Sequence, residues 1–263
     1  MPTPSPSHLM HRLWNDARIV WHMVFSRGRG RTHEERLEHF YRGQAAGYDA
    51  FRRRLLHGRE ELFRQLPAIT GGIWVDLGAG TGENAEHWGP RLQAFSQVYL
   101  VDLAPSLLAV ARERIATRGW TNVQAVHHDA TMFMPPEGTA DVVTCSYSLT
   151  MIPDWFAAID RAWQMLRPHG IIGVVDFFVA RKFPPEGTVG HGWTTRSLWP
   201  LWFATDNVFL SPRPHPLFAI QVRNRAAIPR AWKGSLPPWC ARPLLLLHRT
   251  QTAGLGGTGY ELS

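Results

Sequence analysis

The sequence predicts an α/β fold, with one open, mostly parallel sheet and helices on both of its faces. Three observations predict it. Short apolar runs alternate with helical patterns through the middle of the chain, the signature of repeated strand–helix units. The first run passes directly into glycines at alternate positions, WVDLGAGTG from Trp74 to Gly82. Each later run also ends in polar residues, as strands do when their carboxyl ends share one edge of a parallel sheet.

Taken in order, the elements build one site. Glycine lacks a Cβ and tolerates positive φ, so Gly78, Gly80 and Gly82 let a ligand approach the backbone where the first strand ends, and a helix is expected to follow. The second run, Val98–Val101, ends in Asp102, about 20 residues past the loop, where a carboxylate can accept hydrogen bonds from both ribose hydroxyls of a nucleoside. A third run, Val123–Val126, leads to Asp129 and Ala130. The fourth, Asp141–Cys145, leads into Ser146, Tyr147 and Ser148. Helices are expected over Ser106–Arg118 and Trp155–Arg167, and a fifth apolar run spans Ile171–Ala180, interrupted by Asp176.

Outside this core the chain changes character. Residues 1–7 are rich in Pro and Ser and are expected to be disordered. Leu9, Leu13, Trp14, Ala17, Val20, Trp21 and Val24 then recur at helical spacing and run into the basic SRGRGR. Such a helix can lie in a lipid headgroup layer, where each basic residue contributes about 1 kcal/mol, or pack on the sheet. Residues 32–70 are expected to form cap helices, with Tyr41 and Tyr48 seven residues apart and so on one helical face. Residues 71–180 are expected to form the sheet core that carries the ligand crevice, and 181–250 an insertion with closing antiparallel strands near Val222, Ile228 and 243–247. The glycine-rich residues 251–263 are expected to be a flexible tail.

Composition narrows the partners. A formal charge of +7 points to an anionic partner, nucleic acid or an anionic membrane surface. The two cysteines lack metal-ligand spacing, no histidines pair as ligands, and no metal is expected. No apolar run reaches the length that crosses a bilayer, and the first residues lack the apolar core of a signal peptide. The protein is therefore expected in the cytoplasm, peripheral to the inner face of the membrane. After the fourth strand the chain reads SYSLTM and shows neither Asn-Pro-Pro-aromatic nor paired cysteines, and no nucleic-acid partner is expected. A dinucleotide enzyme would space its glycines Gly-x-Gly-x-x-Gly to seat a pyrophosphate. Here Glu83 follows the loop, a poor neighbour for phosphate.

The spacing of the loop, Asp102, Asp129 and DVVTCSYS resembles the class I S-adenosylmethionine-dependent methyltransferases, a Rossmann-like fold with a seven-stranded, mostly parallel sheet. Longer phrases, THEERLEHFYRGQAAGYDAFRRRLLHGRE, VYLVDLAPSLLAVARERI, SYSLTMIPDW and WPLWFATDNV, are similar to the BtaB-type diacylglyceryl homoserine N-methyltransferases of betaine lipid synthesis. The resemblance spans Thr32–Arg249. It implies S-adenosylmethionine as cofactor, S-adenosylhomocysteine as product and three successive methylations of a lipid amine. It also implies a place beside the enzyme that makes the homoserine lipid. By position, Asp76, Gly78, Gly80, Gly82, Asp102, Leu103, Asp129, Ala130 and Ser146 would hold the cofactor. Tyr147, Asp176 and Tyr48 would serve the reacting amine, and Tyr41, Arg54, Trp155, Trp193 and Arg196 the substrate. Aromatic faces suit the quaternary ammonium product, and a guanidinium fork suits its carboxylate. Asp176 could equally cap the turn that follows its strand. Other acceptors, a quinone precursor among them, and a non-catalytic cofactor-binding scaffold are the alternative readings.

Overall fold

The computed structural model describes residues 32–42, 56, 58–176, 244–249 and 260–261. Five parallel strands, β1 (Ile73–Leu77), β2 (Gln97–Asp102), β3 (Val123–His127), β4 (Ala140–Ser146) and β5 (Leu166–Val175), lie in the order β3-β2-β1-β4-β5. The sheet continues through β6 (Leu244–Arg249), antiparallel to β5, and β7 (Tyr260–Glu261), antiparallel to β6. The α/β fold with a seven-stranded, mostly parallel sheet is thus as expected. The strand order reverses between β1 and β4, so their carboxyl ends splay apart and open a crevice there. Tyr260–Glu261 falls in the segment that its glycine content assigns to a tail. A two-residue strand paired with β6 carries too few side chains to show a period in the sequence.

Side chains alternate across the sheet, with one register shift between Ala140 and Val142 of β4. On one face Val75, Leu77, Tyr99, Val101, Val143, Cys145, Ile172 and Val174 meet Ala158, Ile159, Ala162 and Met165 of a helix at Trp155–Met165. On the other, Trp74, Val98, Leu100, Val142 and Val175 meet Leu62 and Phe63 of a helix at Arg59–Gln65, together with Trp88, Leu92 and Phe95. These two helices, with His33–Arg42 and Pro105–Arg118, are numbered in chain order as α1 (His33–Arg42), α2 (Arg59–Gln65), α3 (Pro105–Arg118) and α4 (Trp155–Met165). Both faces are covered, which is why the strands read as continuous apolar runs. The second face centres on Trp74, Trp88, Phe63 and Phe95, whose rings meet edge to face at 4.9–5.8 Å.

Helix ends follow their sequence signals. Pro105 opens α3 and Gly119, at φ 64°, closes it. Asp154 caps α4 by accepting from Ala157 N–H at 3.1 Å, and Pro168 lies just past its end. The segment after the glycine loop departs from expectation. Residues Glu83–Ala94 form two 3₁₀ stretches broken at Gly89 (φ 54°, ψ −137°) ahead of Pro90. Proline has no N–H to donate and disfavours a helical residue before it, so a continuous α-helix cannot pass that point. Among the described residues, no helix is long and apolar enough to cross a membrane.

Candidate active site

The crevice between β1 and β4 holds a cavity of about 250 Å³. Its floor is Gly78 and Gly80 after β1, Asp102 and Leu103 at the end of β2, and His128, Asp129, Ala130 and Thr131 after β3. Its far wall is Tyr147, Ser148 and residues 151–154, and its roof is His33 and Leu37 of α1.

The floor is fixed from beneath. Asp76 is fully buried, accepts from Thr144 Oγ1 at 2.6 Å and from Asn84 Nδ2 at 2.9 Å, and Thr144 in turn accepts from Trp74 Nε1 at 2.8 Å. Burial pushes its carboxyl up to about 6, against the pull of Thr144, Asn84 and the Arg59 charge. Arg59 forms a buried ion pair with Glu83 at 2.9 Å and lies over the Tyr147 ring. The acid that follows the loop is therefore neutralised from α2, and Glu83 adds no charge to the rim.

The loop's amides are spent internally. Gly78 and Ala79 N–H both donate to Val101 O, Gly80 N–H to Asp102 Oδ2 at 2.7 Å, and Gly82 N–H to Ala79 O. A pyrophosphate site needs such donors turned outward. The described lining also carries Asp102, Asp129 and Asp154 and neither lysine nor arginine. That charge suits a cation and disfavours phosphate.

Glycine at 78 answers two demands. Its φ is 72°, and a Cβ there would come within 2.3 Å of Ser148 Cβ. The close approach brings the loop after β1 against the loop after β4. Gly82 sits behind the lining, where a Cβ would meet Leu100 Cδ1 at 2.9 Å. Tyr147 is itself at φ 55° and donates its N–H to Val175 O at 2.7 Å. A non-glycine residue so held marks a position that the surroundings over-determine, as functional loops often are.

The expected cofactor residues Gly78, Gly80, Asp102, Leu103, Asp129 and Ala130 all line this one cavity, as does Tyr147. Asp76 and Gly82 support it from behind. Ser146 is buried off the lining, and Ser148, two residues on, stands at the wall instead. Alternation along β4 places Ser146 within the sheet, so the first free side chains come after the strand turns.

Asp176 does not reach the cavity lining. Its carboxylate accepts from Thr150 N–H at 3.2 Å and Thr150 Oγ1 at 2.9 Å, tying the short 3₁₀ turn at Leu149–Met151 to the end of β5. The turn expected after β5 begins at residue 177, outside the described residues. Trp155 lies just past the lining, stacked on Phe156 at 3.9 Å at the start of α4. Tyr48, Arg54, Trp193 and Arg196 lie outside the described residues, as do residues 1–31 and the side chain of Tyr41. Sequence reasoning misses His33, Leu37, Leu107, His128 and residues 151–154. The signals that point toward them are the Thr32–Glu35 capping box ahead of a helix and the IPDW cap ahead of α4.

The residues present fit S-adenosylmethionine. Asp102 stands as a carboxylate acceptor at the end of β2, where ribose hydroxyls would reach it, Leu103 and Ala130 give an apolar slot beside Asp129, and Gly78 and Gly80 expose backbone to the amino acid end. Ser148 Oγ is buried without a hydrogen-bond partner among the described residues, so a polar atom bound in the cavity would complete it. The crevice at the strand switch point, its acidic lining and its glycine floor define a class I α/β methyltransferase domain.

Comparison with known proteins agrees. Residues 75–170 match the family described as Methyltransferase domain, so the chain carries an S-adenosylmethionine-dependent methyltransferase domain. The demethylmenaquinone methyltransferase of Geobacillus kaustophilus is 26% identical over 143 residues, 52% of this chain and 61% of that one. The ubiquinone/menaquinone biosynthesis C-methyltransferase UbiE of Pseudomonas fluorescens is 27% identical over 172 residues, 63% of this chain and 67% of that one. The chain thus spans about 61% of the length of the first of these relatives. A solved complex of the Haloferax volcanii Trm112 methyltransferase activator with a methyltransferase shares the fold. It has TM-score 0.50 at 16% identity, covering 65% of this chain and 70% of that one. The names of these relatives point to quinone precursors rather than to the homoserine lipid that the phrases at 146–155 and 199–208 imply.

Proposed function

We propose that this chain transfers methyl groups from S-adenosylmethionine to an acceptor borne by a lipophilic molecule, with a quinone precursor as the acceptor taken first. The observation that carries methyl transfer is the described lining, acidic and without lysine or arginine, over a glycine floor whose amides are already bonded. It suits a cationic sulfonium and no phosphorylated cofactor. The curated relatives supply the acceptor, since those named above methylate demethylmenaquinone or serve ubiquinone and menaquinone biosynthesis.

When bound, the sulfonium brings an activated methyl group, so the chain's own work is chiefly to orient the acceptor and exclude water. Asp102 and Asp129 would hold the nucleoside end, Gly78 and Gly80 the amino acid end, and Tyr147 and Ser148 the space beside the methyl group.

A second reading is N-methylation of diacylglyceryl homoserine, favoured by SYSLTMIPDW, which builds the far wall of the cavity. Under either reading the acceptor lies in a membrane, and the net charge of +7 suits an anionic surface. Docking on the enzyme that supplies the lipid belongs with the second reading. Purified chain, S-adenosylmethionine and vesicles carrying either reduced demethylmenaquinone or diacylglyceryl homoserine separate the two, with mass detection of methylated product. Product from the quinol alone supports the first reading, and mono-, di- and trimethylated lipid alone supports the second. No product from either sinks both.

A further inference from the structure

We propose that Arg59 is a positioning residue for methyl transfer, setting the loop after β4 against the loop after β1 by holding Tyr147 in place. The inference rests on the methyltransferase reading above and deepens it, naming the group that fixes the reacting side of the cavity.

Two contacts carry it. Arg59, the first residue of α2, is 6% exposed, and its Nη1 donates to Glu83 Oε2 at 2.9 Å. Glu83 comes directly after Gly82 and opens the segment that leaves the glycine loop. The same guanidinium lies over the Tyr147 ring, 5.9 Å from its centroid. One buried cation thus meets both sides of the crevice, since Glu83 follows β1 and Tyr147 follows β4. Its own base is firm. Leu62 and Phe63 of α2 are fully buried against the sheet, and Arg91 donates to the carbonyls of Phe63 and Leu66 at the far end of the helix.

Stability alone does not account for this arrangement. A cation in the first turn of a helix faces the positive end of the backbone dipole. Burying it beside a carboxylate takes two charges out of water, a cost that their attraction often fails to repay, so apolar side chains of similar volume would fill the space as well or better. Apolar side chains, however, fix no direction. A planar guanidinium holds a carboxylate along one edge and an aromatic ring against its face. What the pair supplies is orientation.

Tyr147 is the residue that needs it. Its φ of 55° lies in the left-handed region, which a bulky residue keeps only where its surroundings over-determine it. Val175 O holds its N–H at 2.7 Å, and Arg59 covers its ring. Through this turn the next residue, Ser148, comes so close to Gly78 that a Cβ there would stand 2.3 Å from Ser148 Cβ. Gly78, Tyr147 and Ser148 all line the cavity, so the fit of these two loops sets the gap between methyl group and acceptor. A misplacement of about 1 Å at such a gap can cost roughly 100-fold in rate.

The test uses the full chain with S-adenosylmethionine and each acceptor in vesicles. Arg59→Lys keeps a positive charge for Glu83 and removes the planar group over the ring. Expected is a fall in kcat of roughly 10- to 100-fold, with S-adenosylhomocysteine affinity by calorimetry unchanged. The double variant Arg59→Met/Glu83→Met removes both charges and keeps the volume. Its denaturant midpoint should equal or exceed that of wild type while its kcat falls as far as that of Arg59→Lys, a split that a merely structural role does not produce. Arg59→Lys in a Tyr147→Leu background tests the route, and kcat should fall no further there than in Tyr147→Leu alone. Wild-type kcat in both Arg59 variants overturns the assignment and leaves the functional reading intact. A kcat that falls only in step with the midpoint, or by the same factor with and without the Tyr147 ring, also overturns it. A wild type inactive on both acceptors defeats the functional reading and the assignment together.

Discussion

The floor and the roof of the cavity are built differently. The floor rests on strand ends, with Gly78, Ala79 and Gly80 bonded into β2 and the fully buried Asp76 locked between Thr144 and Asn84. Among the described contacts of the roof, α1, the Glu34–His127 pair is 47% and 43% exposed. Exposed pairs of that kind contribute little, about 0–1 kcal/mol. Elements with few buried contacts are those that open first. A cofactor must enter and its product leave, and the side that can yield is the roof. The floor holds the shape that recognises the cofactor.

The sharpest way to break the comparison is to disturb the floor. Gly78→Ala forces a side chain to φ 72° and drives a Cβ to 2.3 Å from Ser148 Cβ. Left-handed strain and overpacking together should cost about 3 kcal/mol, read as a lowered denaturant midpoint, with loss of S-adenosylhomocysteine binding by calorimetry. Adding Ser148→Gly removes the clash but not the strain. The double variant should therefore recover part of the stability, and full recovery would show that the backbone angle costs nothing.

Asp76 gives the floor a pH signature. Its carboxyl is raised from 3.8 to about 6, so the folded state binds this proton more tightly than the unfolded chain does. The resulting stability is fully present below pH 4 and is lost as pH rises through about 6, a swing of about 3 kcal/mol. Asp76→Asn should flatten the stability curve between those limits relative to wild type, measured by urea unfolding at fixed pH steps. Parallel curves for the two proteins would mean that Thr144 and Asn84 offset the burial completely.

The same division explains what is legible in the sequence. Demands on the floor fall on residue type. A loop at positive φ needs glycine and a ribose-facing strand end needs an acid, so Gly78, Gly80 and Asp102 stand out by type and spacing alone. The sheet is legible because each buried strand is a continuous apolar run. The break at Gly89 is not the helix expected after the loop, and Pro90, which a continuous helix cannot pass, is its cause. The rest depends on contacts distant in sequence. Nothing near Glu83 announces Arg59, 24 residues upstream, as its partner, and nothing in the composition of α1 tells that His33 and Leu37 face the cavity. Asp176 is ambiguous for the opposite reason. An acid at a strand end reads alike whether it meets a substrate or the hydroxyl of Thr150, and only the packed loop decides.

The mildest perturbation belongs to the roof. Thr32 Oγ1 accepts from Glu35 N–H at 3.1 Å, and Glu35 Oε2 accepts from Thr32 N–H at 3.4 Å, satisfying two amides that the first turn of α1 would otherwise leave open. Thr32→Ala removes one arm of this box and should cost α1 about 1 kcal/mol. Among the described residues neither apolar cluster includes a residue of α1, so the global unfolding midpoint should barely move, while amides of α1 exchange with solvent roughly fivefold faster. Bound S-adenosylhomocysteine should slow that exchange again if α1 closes over it. A midpoint that falls by the full amount would show that roof and floor unfold as one unit, and the distinction between them would fail.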